Sequence, residues 1–496
     1  MVLFITGCRS RAAETGSSAK QFAIELLTEE EVIRSLEEDR HVTEASEKPN
    51  VLVVLTDQQR WDTVGAYGSP MDLTPRLDAV AERGTVLERA FTPQPLCTPA
   101  RACLQTGQYA TTTDTWRLKT ELGDPDVAMS HGFNNAEYDV GYVGKWHLAG
   151  GGTHGDNPIP AEKRAGYDDY FRGVELTAAA SDEYGGYVYD GNGDRVEFDD
   201  YRVDAFTDFC QSFLRVDRED PFFLFLSLFE PHDQPRNDDY TEFDFAAPDE
   251  YAERYSNPHV PGDLEGMPGF WYESLPGYYG MCRRIDECFG RLVDELERQG
   301  IREETIILFT SDHGCHFGTR NAENKRSCHE ASIRVPAILS GPGFDGGRHV
   351  RELTSLVDLP PTLLDAAGLP VPDAMEGESI RPLVDDDPAT RTTARDEWRN
   401  EVFIQISERE VGRAIRTDRW KYSVFDPDGD PYEDARSDEY VERYLYDLRA
   451  DPHERVNLVG RSDHEDVAAD LRERLAAHIE RVEDVDVDIE PAPYVA

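Results

Sequence analysis

Lysine is scarce in this chain of 496 residues. Of 51 basic residues only seven are lysine: Lys20, Lys48, Lys119, Lys145, Lys163, Lys325 and Lys421. They stand against 99 acidic residues, for a formal net charge of -48. That balance excludes a nucleic-acid partner, because nothing would offset phosphate repulsion. It disfavours an anionic membrane surface for the same reason. Many carboxylates with little lysine suit a protein solvated in concentrated salt, which screens the self-repulsion, so the expected source is a halophile of archaeal type. No stretch is long and apolar enough to span a membrane. The eight cysteines contain no CxxC pair, and a chain this large needs no disulfide staples. A reduced, cytoplasmic set is expected, with Cys210, Cys282 and Cys288 packing as small hydrophobes. The opening "MVLFITGCRSR" ends like a lipoprotein signal at Cys8, but it lacks a charged leader and its apolar run is too short. A polar tail over 1–48, with one helix near 20–38, is expected instead of a lipid anchor.

At 39% hydrophobic residues the rest can fill a large core. "VLVVLT" (51–56) is a continuous β-branched run, as in a strand buried on both faces of a parallel sheet. A helix over 74–84 follows, with Thr74 as cap, Pro75 at its first position and Gly84 as stop. The alternation returns at "YDVGYVGKWHL" (138–148), "PFFLFLSLFEPH" (221–232) and "TIILFTSDHG" (305–314), the last preceded by a helix over 278–300. This predicts a mostly parallel, doubly wound α/β sheet over 49–385. After a linker at 385–397, short strands and a helix near 465–482 predict a small antiparallel subdomain over 386–496.

In each of these four segments the chemistry-capable residues follow the apolar run: Asp57 with Gln58, Lys145 with His147, His232, and Asp312 with His313. Sites in open α/β sheets form outside the carboxyl ends of the strands, so four segments deliver these groups to one edge. Carboxylate and amide oxygens favour a hard cation, calcium or magnesium. Lys145, His147, His232, Lys325 and Arg101 add positive donors, which together suit an anion of the sulfate or phosphate kind. Two of the seven lysines fall in this set. Cys97 is ambiguous from spacing alone. A phosphatase-type cysteine would need arginine six residues on, whereas Arg101 is four on and Pro99 removes an N–H from any anion cradle. A disulfide to Cys103 at a helix start is geometrically poor.

The stretch "CTPARACLQTG" (97–107) resembles the signature of the type I sulfatases. "VLTDQQRWDTVGAYG", "GYVGKWHLAG", "FEPHDQP", "FTSDHG" and "KRSCHEASIRVPAILSGPG" resemble further motifs of that family in its order, and "IRTDRWKY" and "LYDLRADPHERVNL" resemble its C-terminal subdomain. The resemblance implies an alkaline-phosphatase-like fold and hydrolysis of a sulfate ester, of a small molecule or a glycan. It implies that a maturation enzyme oxidises Cys97 to formylglycine, whose hydrate attacks sulfur and then expels sulfate. Asp57, Gln58, Asp312 and His313 would hold calcium, with magnesium or manganese as alternatives. Arg101 would orient the hydrate, Lys145 and Lys325 would grip sulfate oxygens, His147 would act as base, and His232 would bind sulfate or assist the leaving oxygen.

Gln58 stands where many members carry a second aspartate, which removes one negative charge from the metal site. Ala100 replaces the common serine, and Cys103 adds a thiol one turn from Cys97. Phosphonate monoester or phosphodiester hydrolysis is the alternative reaction, and a non-catalytic protein binding an anionic glycan is the rival from another class. "DHGCHFG" and "SCHE" invite a zinc reading, but their spacing matches no common module. Cys315 and Cys328 are expected to pack, with His316 or His329 lining the cleft. Substrate-pocket walls are expected from 150–200 and 233–275, and "WYESLPGYY" (271–279) reads as a stacking surface or as core.

Overall fold

The computed structural model describes residues 48–151, 157–235 and 243–493. The expected helix near 20–38 and Cys8 lie outside them. A ten-stranded sheet runs β10-β2-β9-β8-β1-β7-β3-β4-β5-β6. Its strands in chain order are β1 (Asn50–Thr56), β2 (Thr85–Leu87), β3 (Asp139–Lys145), β4 (Tyr170–Val174), β5 (Tyr184–Asp190), β6 (Arg195–Tyr201), β7 (Phe222–Ser227), β8 (Thr305–Ser311), β9 (Ala337–Ser340) and β10 (Arg348–Val350). The five central strands, β8-β1-β7-β3-β4, are parallel. Their apolar runs are buried on both faces, as uninterrupted Val/Ile/Leu/Phe segments require. The flanking β9 and β5 join antiparallel.

Helices cover both faces. Val51, Val53 and Leu55 of β1 point into one apolar layer and Leu52 and Val54 into the other, the period-two consequence of the pleat. Helix α1 (Pro75–Arg83) starts at its proline as expected. Helix α2 spans Cys97–Thr106 and is buried along its whole length. Helices α3 (Arg202–Leu214) and α4 (Trp271–Gln299) pack against the sheet. Helix α4 begins seven residues before the expected 278, because Pro276 sits inside it without ending it. The aromatic stretch within it divides: Tyr278 and Tyr279 are core, while Tyr272 is exposed.

Residues read as a linker form instead a helix, α5 (Pro388–Glu397), whose first turn is capped by the Asp387 carboxylate on the Ala389 N–H at 3.0 Å. Beyond it lies a second sheet of β11 (Glu401–Ile406), β12 (Val411–Thr417), β13 (Trp420–Asp426), β14 (Glu439–Asp447) and β15 (Asp488–Glu490), in that spatial order. Its first four strands are antiparallel, and β15 adds at the edge in parallel. Helix α6 (Glu465–Glu483) lays Ala468, Leu471, Leu475 and Ile479 on this sheet. The same apolar cluster takes in Cys103 and Tyr109, so the second sheet buttresses the helix that begins at Cys97. Among the described residues no helix is long and apolar enough to cross a membrane.

Candidate active site

Strands β8, β1, β7 and β3 are neighbours, parallel, and end at one edge of the sheet. Asp312 and His313 follow β8 directly, Asp57 and Gln58 follow β1, His232 follows β7, and Lys145 closes β3 with His147 two residues on. Backbone at the exits is held in unusual conformations. Gln58 and His147 are left-handed at φ 69 and 58, a region non-glycine residues seldom adopt outside constrained sites. Gly144, just before Lys145, has φ 112, and a Cβ there would lie 1.9 Å from the Ser227 carbonyl oxygen. Glycine thus permits the close approach of β3 to β7 where Lys145 is delivered.

Arg101, one turn into α2, neutralises the two carboxylates from their outer side. Its Nη2 donates to Asp57 Oδ2 at 2.9 Å and its Nε to Asp312 Oδ2 at 3.1 Å. Lys145 Nζ donates to the same Asp57 oxygen at 2.5 Å. The Oδ1 atoms are left facing His313, whose Nε2 lies 3.6 Å from Asp57 Oδ1 and 3.5 Å from Asp312 Oδ1. His313 Nδ1 is 3.0 Å from the Gly314 carbonyl, a contact that requires a proton on Nδ1 and leaves the Nε2 lone pair inward. Burial pushes the Asp57 carboxyl up, but Lys145, His232 and Arg101 outweigh it and hold it well below the usual range. Burial and the Asp57 charge raise Asp312.

Donor atoms of Asp57, Asp312, His313 and Cys97 all lie within 4.8 Å of one another. Gln58 Nε2 donates to Asp233 Oδ1 at 3.0 Å, while its carbonyl oxygen is buried without a partner. Two inward carboxylate oxygens, an imidazole lone pair and an orphaned amide oxygen fit a hard divalent cation.

Cys97 opens α2, is 3% exposed, and carries its sulfur into the cluster. His313 Nε2 lies 3.3 Å from Sγ and Lys325 Nζ 3.0 Å from it. Burial raises the thiol, yet Lys145, Lys325 and His313 bring it well below the ordinary cysteine value. Lys325 Nζ also donates to His232 Nε2 at 2.9 Å, while His232 Nδ1 sits 2.6 Å from the Asp233 carbonyl oxygen. Burial and then Lys145 lower His147 to about 4. The ring is therefore neutral at pH 7 and can accept a proton.

A cavity of about 730 Å³ opens over this cluster. Gln58, Cys97, Lys145, His147, His232 and Lys325 form its floor, and Leu118, Leu176, Phe229, Phe245 and Phe270 supply apolar wall. All ten sequence-predicted residues therefore meet, six at the cavity and Asp57, Arg101, Asp312 and His313 buried in the same network. The expected loop regions contribute Leu176, Asp244, Phe245 and Phe270 among others, whereas 118–119 and the neighbours of the predicted Lys325, 322–324 and 326, also line the cavity and were not anticipated. Neither His316 nor His329 reaches it. His316 is buried against the Lys325 carbonyl, and His329 packs on Tyr444 and Tyr446. The seven described cysteines are free, so Cys97 and Cys103 are not bridged. Sequence reasoning missed Asp233, which clamps Gln58 and lies beside the His232 ring, and Ser227, which accepts from Arg101 Nη1 at 2.6 Å and donates to the Lys145 carbonyl at 2.7 Å. Asp233 adjoins a histidine already singled out, but nothing in the apolar "FFLFLS" marks its serine.

The sulfatase family profile matches residues 49–369, and the profile of the N-sulphoglucosamine sulphohydrolase C-terminal region matches 318–481. The ulvan-active sulfatase of Formosa agariphila is 30% identical over 471 residues, covering 91% of this chain and 84% of its own. A solved structure in complex with its substrate D-glucosamine-2-N,6-O-disulfate superposes with a TM-score of 0.70 at 21% identity, over 89% of this chain and 99% of that one. The phosphonate monoester hydrolase of Silicibacter pomeroyi superposes with a TM-score of 0.62 at 21% identity, over 88% and 96%.

Proposed function

The chain belongs to the sulfatase family and hydrolyses sulfate esters; on that premise we propose that it does so with formylglycine at position 97 and a divalent cation, calcium first, held by Asp57, Gln58, Asp312 and His313. The observation that carries this reading is the meeting of Cys97 Sγ, Lys325 Nζ and His313 Nε2 within 3.3 Å at the cavity floor. The sulfur stands where an oxygen of the matured residue would lie. When present, the hydrated aldehyde supplies an oxygen nucleophile and the cation polarises the sulfate oxygens.

The remaining work falls to this chain's own side chains. Arg101 and Lys145 fix the Asp57 carboxylate so that its free oxygen faces inward. Lys145 and Lys325 present charge where a sulfate group builds up negative charge in the transition state. His147, neutral at pH 7, is placed to accept the proton of the hydrate's second hydroxyl, whose loss would break the C–O bond to the sulfate group and release sulfate. His232, held by Asp233 and Lys325, stands at the alcohol side, where it binds sulfate or steadies the leaving oxygen. The apolar walls exclude water from the charged floor, which strengthens each of these interactions. Substrates are sulfated sugars or small sulfate esters. A separate maturation enzyme with an external oxidant converts Cys97 in the cytoplasm.

The test is the mass of tryptic peptide 90–101, "AFTPQPLCTPAR", from protein made in its own host. The aldehyde or its hydrate at Cys97 is expected. An intact thiol in every molecule, with maturation machinery active in that cell, refutes the formylglycine mechanism. The structural likeness to a phosphonate monoester hydrolase keeps one comparison necessary. Turnover of 4-nitrophenyl sulfate should exceed that of the matching phosphonate and phosphodiester, and the reverse order would reassign the reaction.

A further inference from the structure

Lys325 lies in a stretch, 312–329, that contains neither strand nor helix. Its Nζ nevertheless holds three contacts of 2.9–3.2 Å, to His232, Cys97 and His313. Part of what fixes it is local: Asn321 Nδ2 donates to the Lys325 carbonyl at 2.8 Å. His316 Nε2 also meets that carbonyl at 3.2 Å and the Arg326 N–H donates to the Pro95 carbonyl at 3.3 Å; a further tie comes from the second sheet. Arg326, the next residue, donates to Glu323 at 2.7 Å and to Glu408 Oε2 at 2.8 Å. The other oxygen of Glu408 accepts the Leu118 N–H at 2.7 Å. Leu118 and Lys119 form part of the cavity wall, and Arg326 forms another part. One buried carboxylate, two residues beyond the end of β11, therefore ties together two wall segments that are distant in sequence.

Backbone geometry marks the same node. Glu408, Arg326 and Lys119 have φ of 58, 64 and 65. Non-glycine residues keep such conformations only where their surroundings over-determine them, and they cluster at functional sites.

We propose that Glu408 is a positioning residue for sulfate ester hydrolysis: through Arg326 it sets the place of Lys325 at the cavity floor, and through Leu118 it sets the wall against which the leaving alcohol lies. It touches no reacting atom. The second sheet thereby contributes to the site by orientation rather than by contact. The inference rests on the role given above to Lys325.

The test compares E408Q, R326M and the double variant of the full chain with wild type. The readouts are kcat and KM on 4-nitrophenyl sulfate and the affinity for inorganic sulfate by calorimetry. E408Q keeps an oxygen for Leu118 and removes the charge facing Arg326. A roughly tenfold loss of kcat/KM and a weaker sulfate complex are expected for each single variant, with the double variant no worse than either, since both break one linkage. Losses that multiply in the double variant, or an E408Q within twofold of wild type in both readouts, overturn the proposal. Should E408Q not fold, R326K against R326M carries the same test: recovery of sulfate affinity with the restored charge is expected, and no recovery overturns it. A wild-type protein that turns over no sulfate ester would sink the mechanism above, while the sulfate titration would still decide the place of Glu408.

Discussion

Replacing Lys325 by methionine removes one charge while keeping an unbranched chain of similar length. Its ammonium sits 3.0 Å from the atom that marks the nucleophile and is 6% exposed. Two unit charges at that distance interact by about 5 kcal/mol at an effective dielectric near 20, which sets a ceiling. A sulfate oxygen gains only part of a charge on the way to the transition state. The expected loss is therefore that of one preorganised donor, about 3–4 kcal/mol, or about 10²–10³ in kcat. Stability should not rise. Burial opposes the cation, but the charges of Cys97, Asp57 and Asp312 outweigh it and raise the lysine above its ordinary value, so the variant should melt at or below the wild-type temperature. The assay is kcat on 4-nitrophenyl sulfate beside a thermal melt. A variant that keeps more than a tenth of wild-type kcat would refute the assignment of Lys325 to the sulfate, and a lower melting temperature with unchanged kcat would make it a structural lysine.

Three further outcomes follow from the geometry. Chelation should lower the melting temperature, because a cation that binds only the folded chain stabilises it; calcium at about 100 times its Kd adds about 2.7 kcal/mol, and a melt indifferent to chelator and calcium would count against the cation. Asp286 accepts the N–H groups of Arg76 and Leu77 at the start of α1, at 3.1 and 2.8 Å, and burial pushes its carboxyl up to about 7 from 3.8. A raised carboxyl favours the folded state at low pH and loses that contribution as pH rises from about 4 to about 7, so wild type should lose stability relative to Asp286→Asn across that window; parallel curves of Tm against pH would refute it. With a net charge of -48, Tm should climb as KCl goes from about 0.1 to about 1 M and the screening length falls from about 10 to about 3 Å, and a flat profile would dismiss the halophilic reading.

The central strands were legible because a strand buried on both faces leaves an unbroken apolar run, and the polar residues that end such runs are conspicuous. Lys145 and Lys325 stood out through the rarity of lysine. The helix α5 was not legible: it has no buried residue, so no apolar period distinguishes it from a linker. The early start of α4 was hidden by Pro276, which reads as a stop. Ser227 and Glu408 serve the site through partners 126 and 82 residues away, and spacing carries no trace of contacts so remote. His316 or His329 was expected to line the cleft, whereas both rings fill the interior.

The strand order has a temporal consequence. β1 lies between β8 and β7, so the floor beneath Cys97 cannot close until the ribosome has passed β8, roughly 200 residues after the cysteine leaves it. At about 5–20 residues per second that delay is on the order of 10–40 s. During this interval residue 97 lacks the sheet and Lys325 that bury it to 3% exposure in the folded chain. If the oxidation proposed for this position requires the unfolded segment, it would compete with translation, and a faster ribosome would leave a larger fraction of chains with an unaltered thiol.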